Sequence, residues 1–290
     1  MPNATANGIQ IEYDTFGDRS SPPLLLIMGL SAQMIHWEEE FCKQLVEKGL
    51  FVIRFDNRDA GLSTKFEKTG IPDIMAAMRG ETFQPAYGLD DMADDAVGLL
   101  DALGIKRAHI CGVSMGAMIT QVIGYRHPSR VLTLIPIMGS TGNPKLTRAK
   151  PEVMEMLITP APEEREAYIE NSVIMWKFFW GSLDFDEDLV RKRAAETYDR
   201  AFYPEGILRQ HAAIISNGNR KDRLASITAP TLVIHGSEDP LLPVDHGKDT
   251  AEAIPGAELL VVEGMGHCLP KAAWPQIVEA IANHTGKATS

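Results

Sequence analysis

Gly112-Val113-Ser114-Met115-Gly116 is the stretch of sequence that decides the fold. It follows the apolar run 108–111, which predicts a buried strand, and it precedes a segment of helical period that ends just before Pro128. A G-x-S-x-G pattern between a strand and a helix is typical of a tight turn that exposes a serine nucleophile. The bare pattern also occurs in ordinary glycine-rich turns. The flanking strand and helix favour the nucleophile interpretation.

A serine hydroxyl needs a neighbouring base, and the base needs a carboxylate that orients it. These groups must come from other strand ends. The apolar run 231–235 is followed by Gly236-Ser237-Glu238-Asp239-Pro240. The run 258–262 is followed by Glu263-Gly264-Met265-Gly266-His267. The candidate catalytic residues, in the chain order that the motif requires, are Ser114, Asp239 and His267.

Two of these assignments have competitors. Glu238 is adjacent to Asp239, and His267 is one of eight histidines. Among the histidines, only His267 lies on a glycine-flanked loop after the last predicted strand. Cys268, beside it, is interpreted as a packed or redox-sensitive thiol because the turn carries a serine.

Short apolar runs alternate with longer segments of helical period, which predicts strands joined through helices into a mostly parallel sheet. The first predicted strand alternates apolar and polar residues, so we expect it half exposed at a sheet edge. The others are continuous apolar runs, typical of strands covered by helices on both faces. The predicted strands are 9–16, 24–28, 51–55, 108–111, 131–137, 231–235 and 258–262, and the predicted core helices are 90–103, 115–126 and 274–283.

The alternation stops between about residues 141 and 225, where four prolines punctuate helical stretches such as 163–179 and 187–200. Strand signals resume at Thr231. We therefore predict an α/β core domain of residues 1–140 and 226–290. Residues 141–225 are predicted to form a helical lid over the carboxyl edge of the sheet.

Composition and charge limit the partners. The 290 residues are 44% apolar, and 28 Lys and Arg against 39 Asp and Glu give a net charge of −11. This charge disfavours nucleic acid and anionic membranes as partners. Three widely spaced cysteines make neither a disulfide framework nor a CxxC metal site. Without a signal-peptide pattern or a membrane-length apolar stretch, we expect a cytoplasmic protein.

The chain resembles the α/β-hydrolase superfamily, and within it the cofactor-free, lidded ester hydrolases that include aclacinomycin methylesterase. The resemblance rests on the G-x-S-x-G turn, on Arg54-Phe55-Asp56-Asn57-Arg58-Asp59-Ala60-Gly61-Leu62-Ser63 and on residues 255–270. It leaves the helical insertion essentially uncovered. Similar proteins place the carboxylate three residues after a glycine and before a proline, which favours Asp239 over Glu238.

The resemblance also implies an oxyanion hole formed by the backbone N–H groups of Leu30 and Met115. Many relatives have histidine where Met28 stands in Met28-Gly29-Leu30, but a backbone donor does not depend on that side chain. The segment from Asp56 to Ser63 is interpreted as structural, with Arg58 pairing with carboxylates.

The function implied is a carboxylic ester hydrolase that acts through an acyl-enzyme on small to medium apolar esters. HExxH, Walker A and GxGxxG patterns are absent, so we expect no metal and no cofactor. A lactonase or a carbon–carbon bond hydrolase with the same triad stays open, as does a non-catalytic receptor. Whether the chain forms a homo-oligomer is also open. Eight side chains are candidates for a substrate pocket, with helical packing as the alternative: Met34, Met154, Met156, Met175, Trp176, Phe178, Phe179 and Trp180.

Overall fold

A computed structural model describes residues 2–74, 79, 81 and 83–287, and elements are numbered over these residues. Eight strands form one sheet in the order β1-β2-β4-β3-β5-β6-β7-β8. Strands β3 to β8 are mutually parallel where they pair, and β1 and β2 are antiparallel to their neighbours. The strands are β1 (Asn3–Ala6), β2 (Ile9–Phe16), β3 (Pro23–Ile27), β4 (Phe51–Phe55), β5 (Ala108–Val113), β6 (Val131–Ile137), β7 (Leu232–Gly236) and β8 (Glu258–Val262).

The sheet edges differ from the sequence prediction. Strand β2 was expected at an edge, but β1, which the sequence did not predict, pairs with it and forms that edge. Strand β8 forms the other edge and is half exposed, although its apolar run predicted cover on both faces. Edge position, and not only the apolar pattern, therefore sets the exposure of a strand in this sheet.

The inner strands are apolar along their whole length because helices cover both faces of the sheet. In β3, Leu25 and Ile27 enter one core and Leu24 and Leu26 enter the other. This alternation follows from the two-residue period of a strand. Helices α2 (Leu89–Ala102) and α3 (Met115–Arg126) cover the first face, and α1 (Glu39–Glu47) and α10 (Trp274–Lys287) cover the second.

Between β6 and β7 the chain forms a helical insertion in place of a single crossover. The helices of the insertion are α4 (Pro151–Ile158), α5 (Arg165–Phe179), α6 (Glu187–Ala201), α7 (Pro204–Asn217) and the short α8 (Lys221–Leu224). Helix α9 (Val244–Ala253) follows between β7 and β8.

No helix in the described part of the chain is long and apolar enough to span a membrane.

Candidate active site

Ser114 occupies the turn between β5 and α3 with a φ of 56° and a ψ of −115°. Few non-glycine residues adopt this conformation, and it is the strained turn that the sequence motif predicts. A Cβ atom on Gly112 would lie 2.1 Å from the carbonyl oxygen of Gly116, and one on Gly116 would lie 2.2 Å from that of Ile27. Both glycines are therefore required by close backbone contacts that hold the turn in place.

The three predicted catalytic side chains meet at the carboxyl edge of the sheet. His267 Nε2 lies 2.9 Å from Ser114 Oγ, and His267 Nδ1 lies 2.6 Å from Asp239 Oδ2. Asp239 and His267 are 4% and 7% exposed, whereas Ser114 is partly accessible. This is the geometry in which a base can take a proton from a serine while a carboxylate holds the imidazole.

Hydrogen bonds between two loops place Asp239 beside His267. The N–H of Gly264 donates to Ser237 Oγ at 2.9 Å, and the N–H of Glu238 donates to the carbonyl of Met265 at 3.0 Å. Parallel pairing of β7 with β8 brings the two loops to the same edge. The carboxylate and the imidazole are thus positioned by backbone structure before any substrate binds.

The second carboxylate oxygen of Asp239 accepts the N–H groups of Leu241 at 2.9 Å and Leu242 at 2.8 Å. His235 contacts the same segment of backbone: its Nε2 lies 2.7 Å from the carbonyl oxygen of Leu242. Burial lowers the pKa of His235, so this imidazole is neutral at neutral pH. Asp239 therefore directs one oxygen at the backbone and the other at His267.

The loop after β3 lies beside the Ser114 turn because β3 and β5 are neighbours, with Ile27 opposite Gly112. Among the described residues, neither the N–H of Leu30 nor that of Met115 donates to a protein acceptor. Gly29, Leu30 and Ser114 line the same cavity. These two amides are available for an oxygen bound above Ser114.

The neighbours of Asp239 and His267 have other contacts. Glu238 accepts a hydrogen bond from Ser182 Oγ at 2.9 Å and points away from the imidazole. The Cys268 thiol is buried, its Sγ lies 3.5 Å from the carbonyl oxygen of Trp180, and burial raises its pKa to about 12. A thiol with that pKa carries almost no thiolate at neutral pH, which fits the interpretation of Cys268 as a packed residue.

The insertion touches the histidine loop directly. The N–H of His267 donates to the carbonyl of Phe179 at 2.7 Å, and the N–H of Gly266 donates to that of Trp180 at 2.9 Å. Gly181 and Met265 form an antiparallel bridge, and the Phe179 ring packs edge-on against the imidazole. We call residues 179–183 the connecting stretch. It fixes the backbone on which His267 stands.

A cavity of about 770 Å³ lies between the insertion and the carboxyl edge of the sheet and reaches Ser114 and His267. Of the eight pocket candidates, Met154, Met156, Met175, Trp176 and Phe179 line it. Three do not: Met34 is fully buried, Trp180 is buried in a packing cluster, and Phe178 is exposed on the surface. The sequence pattern did not predict that α7 forms part of the cavity wall. Four of its residues line the cavity: Ile207, Leu208, His211 and Ile214.

The Asp56 to Ser63 segment forms a buried ion-pair cluster, which we call the loop cluster. Arg58 binds both oxygens of Asp95 at 2.6 and 2.7 Å. Asp59 pairs with Arg209 of α7 at 2.9 Å, and Asp56 lies 2.7 Å from Arg200 of α6. The structural interpretation of Arg58 agrees with this geometry. The ties from the loop to α6 and α7 were not predicted.

The chain is similar to known hydrolases over nearly its whole length. A family model described as the alpha/beta hydrolase fold matches residues 22–271. Rhodomycin D methylesterase DauP from Streptomyces sp. (strain C5) is 31% identical over 306 aligned positions, which cover 98% of both chains. The 2-hydroxymuconate semialdehyde hydrolase of Pseudomonas putida is 30% identical over 75% of this chain and 74% of its own.

The solved structures agree on the fold. A variant of the meta-cleavage product hydrolase CumD from Pseudomonas fluorescens IP01 superposes with a TM-score of 0.78 at 20% identity, covering 99% of this chain and 98% of its own. The chain therefore belongs to the alpha/beta hydrolase fold family. It is an enzyme of the serine hydrolase class, and the predicted resemblance to the methylesterase branch is confirmed.

Proposed function

We propose that the protein is a carboxylic ester hydrolase that works through an acyl-enzyme on Ser114. The observation that carries the proposal is the continuous hydrogen-bonded series from Ser114 through His267 to Asp239, open to an apolar cavity. The methylesterase relatives, 31% identical over 98% of the chain, support ester bonds as the substrate class.

In the proposed reaction Ser114 Oγ attacks the ester carbonyl while His267 Nε2 accepts its proton. The carbonyl oxygen becomes an oxyanion, and the N–H groups of Leu30 and Met115 donate to it. The imidazolium returns the proton to the leaving alcohol, and an acyl ester on Ser114 remains. Water then attacks this ester with His267 as the base, which releases the acid and restores the serine.

Asp239 serves the reaction in two ways. Its bond to Nδ1 fixes the tautomer in which Nε2 of His267 can accept a proton, and its charge stabilises the imidazolium. Because its other oxygen is satisfied by two backbone amides, the carboxylate keeps its orientation as the imidazole gains and loses its proton.

We further propose that residues 141–225 act as a lid that selects small to medium apolar esters. The cavity volume is in the range of ligand pockets in proteins. Methionines of α4 and α5 and apolar side chains of α7 line it, so it favours hydrocarbon parts of a substrate.

A carbon–carbon bond hydrolase is the second candidate, favoured by the similarity to the 2-hydroxymuconate semialdehyde hydrolase. Such a substrate carries a carboxylate, which calls for a cation in the cavity. Among the described lining residues the guanidinium groups are those of Arg193, already bonded to Glu38, and Arg148, exposed at the surface. With Arg193 already paired, a substrate carboxylate would depend on the exposed Arg148, which makes carbon–carbon cleavage the second candidate and not the first.

The test is hydrolysis of chromogenic short-chain esters and of a ring-fission dienoate by one preparation. We expect ester hydrolysis, and we expect Ser114→Ala to lose about 10⁶-fold in kcat while folding normally. A serine-reactive phosphonate should label Ser114 and no other residue. Preference for the dienoate would replace the ester proposal with carbon–carbon cleavage, and no activity on either substrate would overturn both proposals.

Ser140→Ala is the matched control. Ser140 lines the same cavity, and its Oγ lies 2.8 Å from His246 Nδ1. The other nitrogen of His246 bonds the carbonyl of Thr147 at 2.9 Å instead of a carboxylate. We expect this variant to keep most of the ester activity, because its Ser–His pair lacks an orienting acid. Labelling of Ser140, or equal losses in both variants, would refute the choice of Ser114.

A further inference from the structure

Four histidines line the cavity, and one of them differs from the rest. His267 bonds Ser114 and Asp239, His246 bonds Ser140 and Thr147, and the Nε2 of His36 lies 2.9 Å from Thr197 Oγ1. His211 has no hydrogen-bond or ion-pair partner among residues 2–74, 79, 81 and 83–287.

His211 is a buried polar group in apolar surroundings. It is 9% exposed, and along α7 it shares the cavity-facing side with Ile207, Leu208 and Ile214. Its ring nitrogens keep some accessibility, and a polar side chain without a protein hydrogen bond in a largely apolar cavity points to a polar partner on the ligand. Burial lowers the pKa of His211, so its imidazole is neutral and offers one donor and one acceptor.

The backbone that carries His211 is held rigidly against the core. Gln210, the preceding residue, accepts the N–H of Ser31 at 2.8 Å and donates to the carbonyl of Arg58 at 2.7 Å. Arg209 is buried in its ion pair with Asp59. A Cβ on Gly206 would lie 2.1 Å from the carbonyl oxygen of Asp59, so α7 sits directly on the loop cluster.

This attachment connects the α7 wall of the cavity to the loop that carries Leu30. Ser31, which Gln210 holds, follows Leu30, whose N–H is proposed to stabilise the oxyanion. The backbone of His211 is therefore held in place, and its side chain lines the same cavity as Ser114, on the wall formed by α7.

From these observations we infer that His211 is a specificity-determining residue that hydrogen-bonds an oxygen of the substrate away from the scissile ester. The preferred substrates are then apolar esters that carry one hydroxyl or carbonyl group at a distance from the reacting carbonyl. This inference rests on the proposed ester hydrolase function and narrows its substrate class.

The test compares esters that differ by a single oxygen. Methyl octanoate is measured beside methyl octanoates with one hydroxyl at successive chain positions, and butyl butyrate beside the butyrate monoesters of butanediols. We expect wild-type kcat/KM to be about tenfold higher for at least one hydroxylated ester than for its parent, the scale of one net hydrogen bond. His211→Leu should remove that preference, so its kcat/KM should fall about tenfold more for the hydroxylated ester than for the parent.

Two further variants separate this role from a structural one. His211→Gln keeps a donor and an acceptor and should restore part of the preference, whereas Leu208→Met, at a neighbouring lining position, should affect both esters equally. Thermal unfolding of each variant shows whether it folds.

The inference is overturned if no hydroxyl position gives a preference, or if His211→Leu lowers kcat/KM for parent and hydroxylated esters alike. Hydrolysis of the parents without any such preference leaves the esterase proposal standing and removes only the role of His211. If the wild-type enzyme hydrolyses none of the parents, the proposed function fails and this inference falls with it.

Discussion

Two buried clusters of polar side chains lie at the same edge of the sheet, and their carboxylates have different kinds of partner. In the loop cluster each aspartate faces an arginine: Asp59 binds Arg209 through both oxygens, and Arg58 binds Asp95 in the same way. At the proposed active site Asp239 has the imidazole of His267 and two backbone amides as its hydrogen-bond partners, with Nε2 of the neutral His235 3.6 Å from the oxygen that faces His267.

The difference separates a structural cluster from a reactive one. Arginine is protonated at every accessible pH, so the loop cluster is permanently neutralised and holds α7 and the loop together. An imidazole acquires a full positive charge only when it takes a proton, and Asp239 is ready to compensate that charge. The two clusters therefore differ in the positive charge that faces the carboxylate. On arginine this charge is permanent, whereas on His267 it appears only when the imidazole is protonated.

Among changes to these two clusters, the largest effect is expected from Asp239→Asn, which removes the negative charge that faces the imidazole. An amide at this position stabilises the wrong imidazole tautomer, so kcat should fall by about 10⁴-fold at neutral pH while the fold is retained. Glu238→Gln is the matched control and should change kcat by only a few-fold, since Glu238 bonds Ser182. The reverse ranking in steady-state ester assays would contradict the comparison.

Arg209→Met breaks the fixed pair and should act on stability. Arg209 and Asp59 are both almost fully buried, and removing Arg209 leaves a carboxylate that only neutral donors still contact, Tyr87 OH at 2.7 Å and the N–H of Phe66 at 2.8 Å among the described residues. The loss should be about 3–5 kcal/mol in the free energy of unfolding, measured by urea denaturation. Adding Asp59→Asn, which removes the stranded charge and suits the φ of 63° at this position, should recover part of it. If Arg209→Met instead keeps its stability and loses much of its kcat, the loop cluster takes part in catalysis.

A third buried group, His109, sharpens the comparison because its imidazole stays neutral. It lies in β5, fully buried, with Nδ1 2.9 Å from Thr133 Oγ1. Burial, then the nearby charges of His284 and Arg107, lower its pKa from 6.5 to about 4. Between these values the unfolded chain binds the proton that folded His109 excludes, so the contribution of this residue to stability falls on acidification by about 1.4 kcal/mol per pH unit.

His109→Asn keeps the hydrogen-bonding position and removes the titration. Its free energy of unfolding, measured from pH 6.5 down to pH 4, should therefore fall less steeply than that of the wild type by this amount. Equal slopes would show that His109 is not the group responsible.

The smallest effect is expected along a series of acyl esters. Each buried methylene contributes about 0.8 kcal/mol, close to fourfold in kcat/KM, until the cavity is full. Activity should rise over the first carbons, peak at short to medium length and fall for long chains. Met156→Ala shortens a side chain of the lining and so enlarges the cavity, which should move the peak to longer acyl chains. A flat profile beside fast cleavage of a dienoate would instead favour the carbon–carbon hydrolase.

The sequence predicted the inner strands and the residues that the fold brings together at Ser114, because those signals are local. A buried parallel strand needs a continuous apolar run, and the serine turn needs glycines at fixed positions. Strand β1, with the sequence Asn-Ala-Thr-Ala, carries no apolar run and exists through its pairing with β2. No periodicity marks such an edge strand.

The cavity could be predicted only in part, because its walls depend on how the insertion packs. Methionines and aromatics in α4 and α5 were found by composition, but Trp180 packs against Phe185 and Phe178 faces solvent. The face of α7 that includes His211 is set by Gln210 and Arg209, whose partners lie more than a hundred residues earlier in the chain. A single sequence carries no local signal for hydrogen bonds between residues so far apart in the chain.

The connecting stretch has a consequence for protein engineering. Because residues 179–183 pair with the backbone around Gly264 and His267, the insertion cannot be exchanged as an independent module. A chimera that imports the helices of a relative needs to splice outside this stretch, or match its register, to keep the imidazole in place. Directed evolution of substrate range therefore has its freest positions on α4 and on the cavity-facing side of α7, away from that splice.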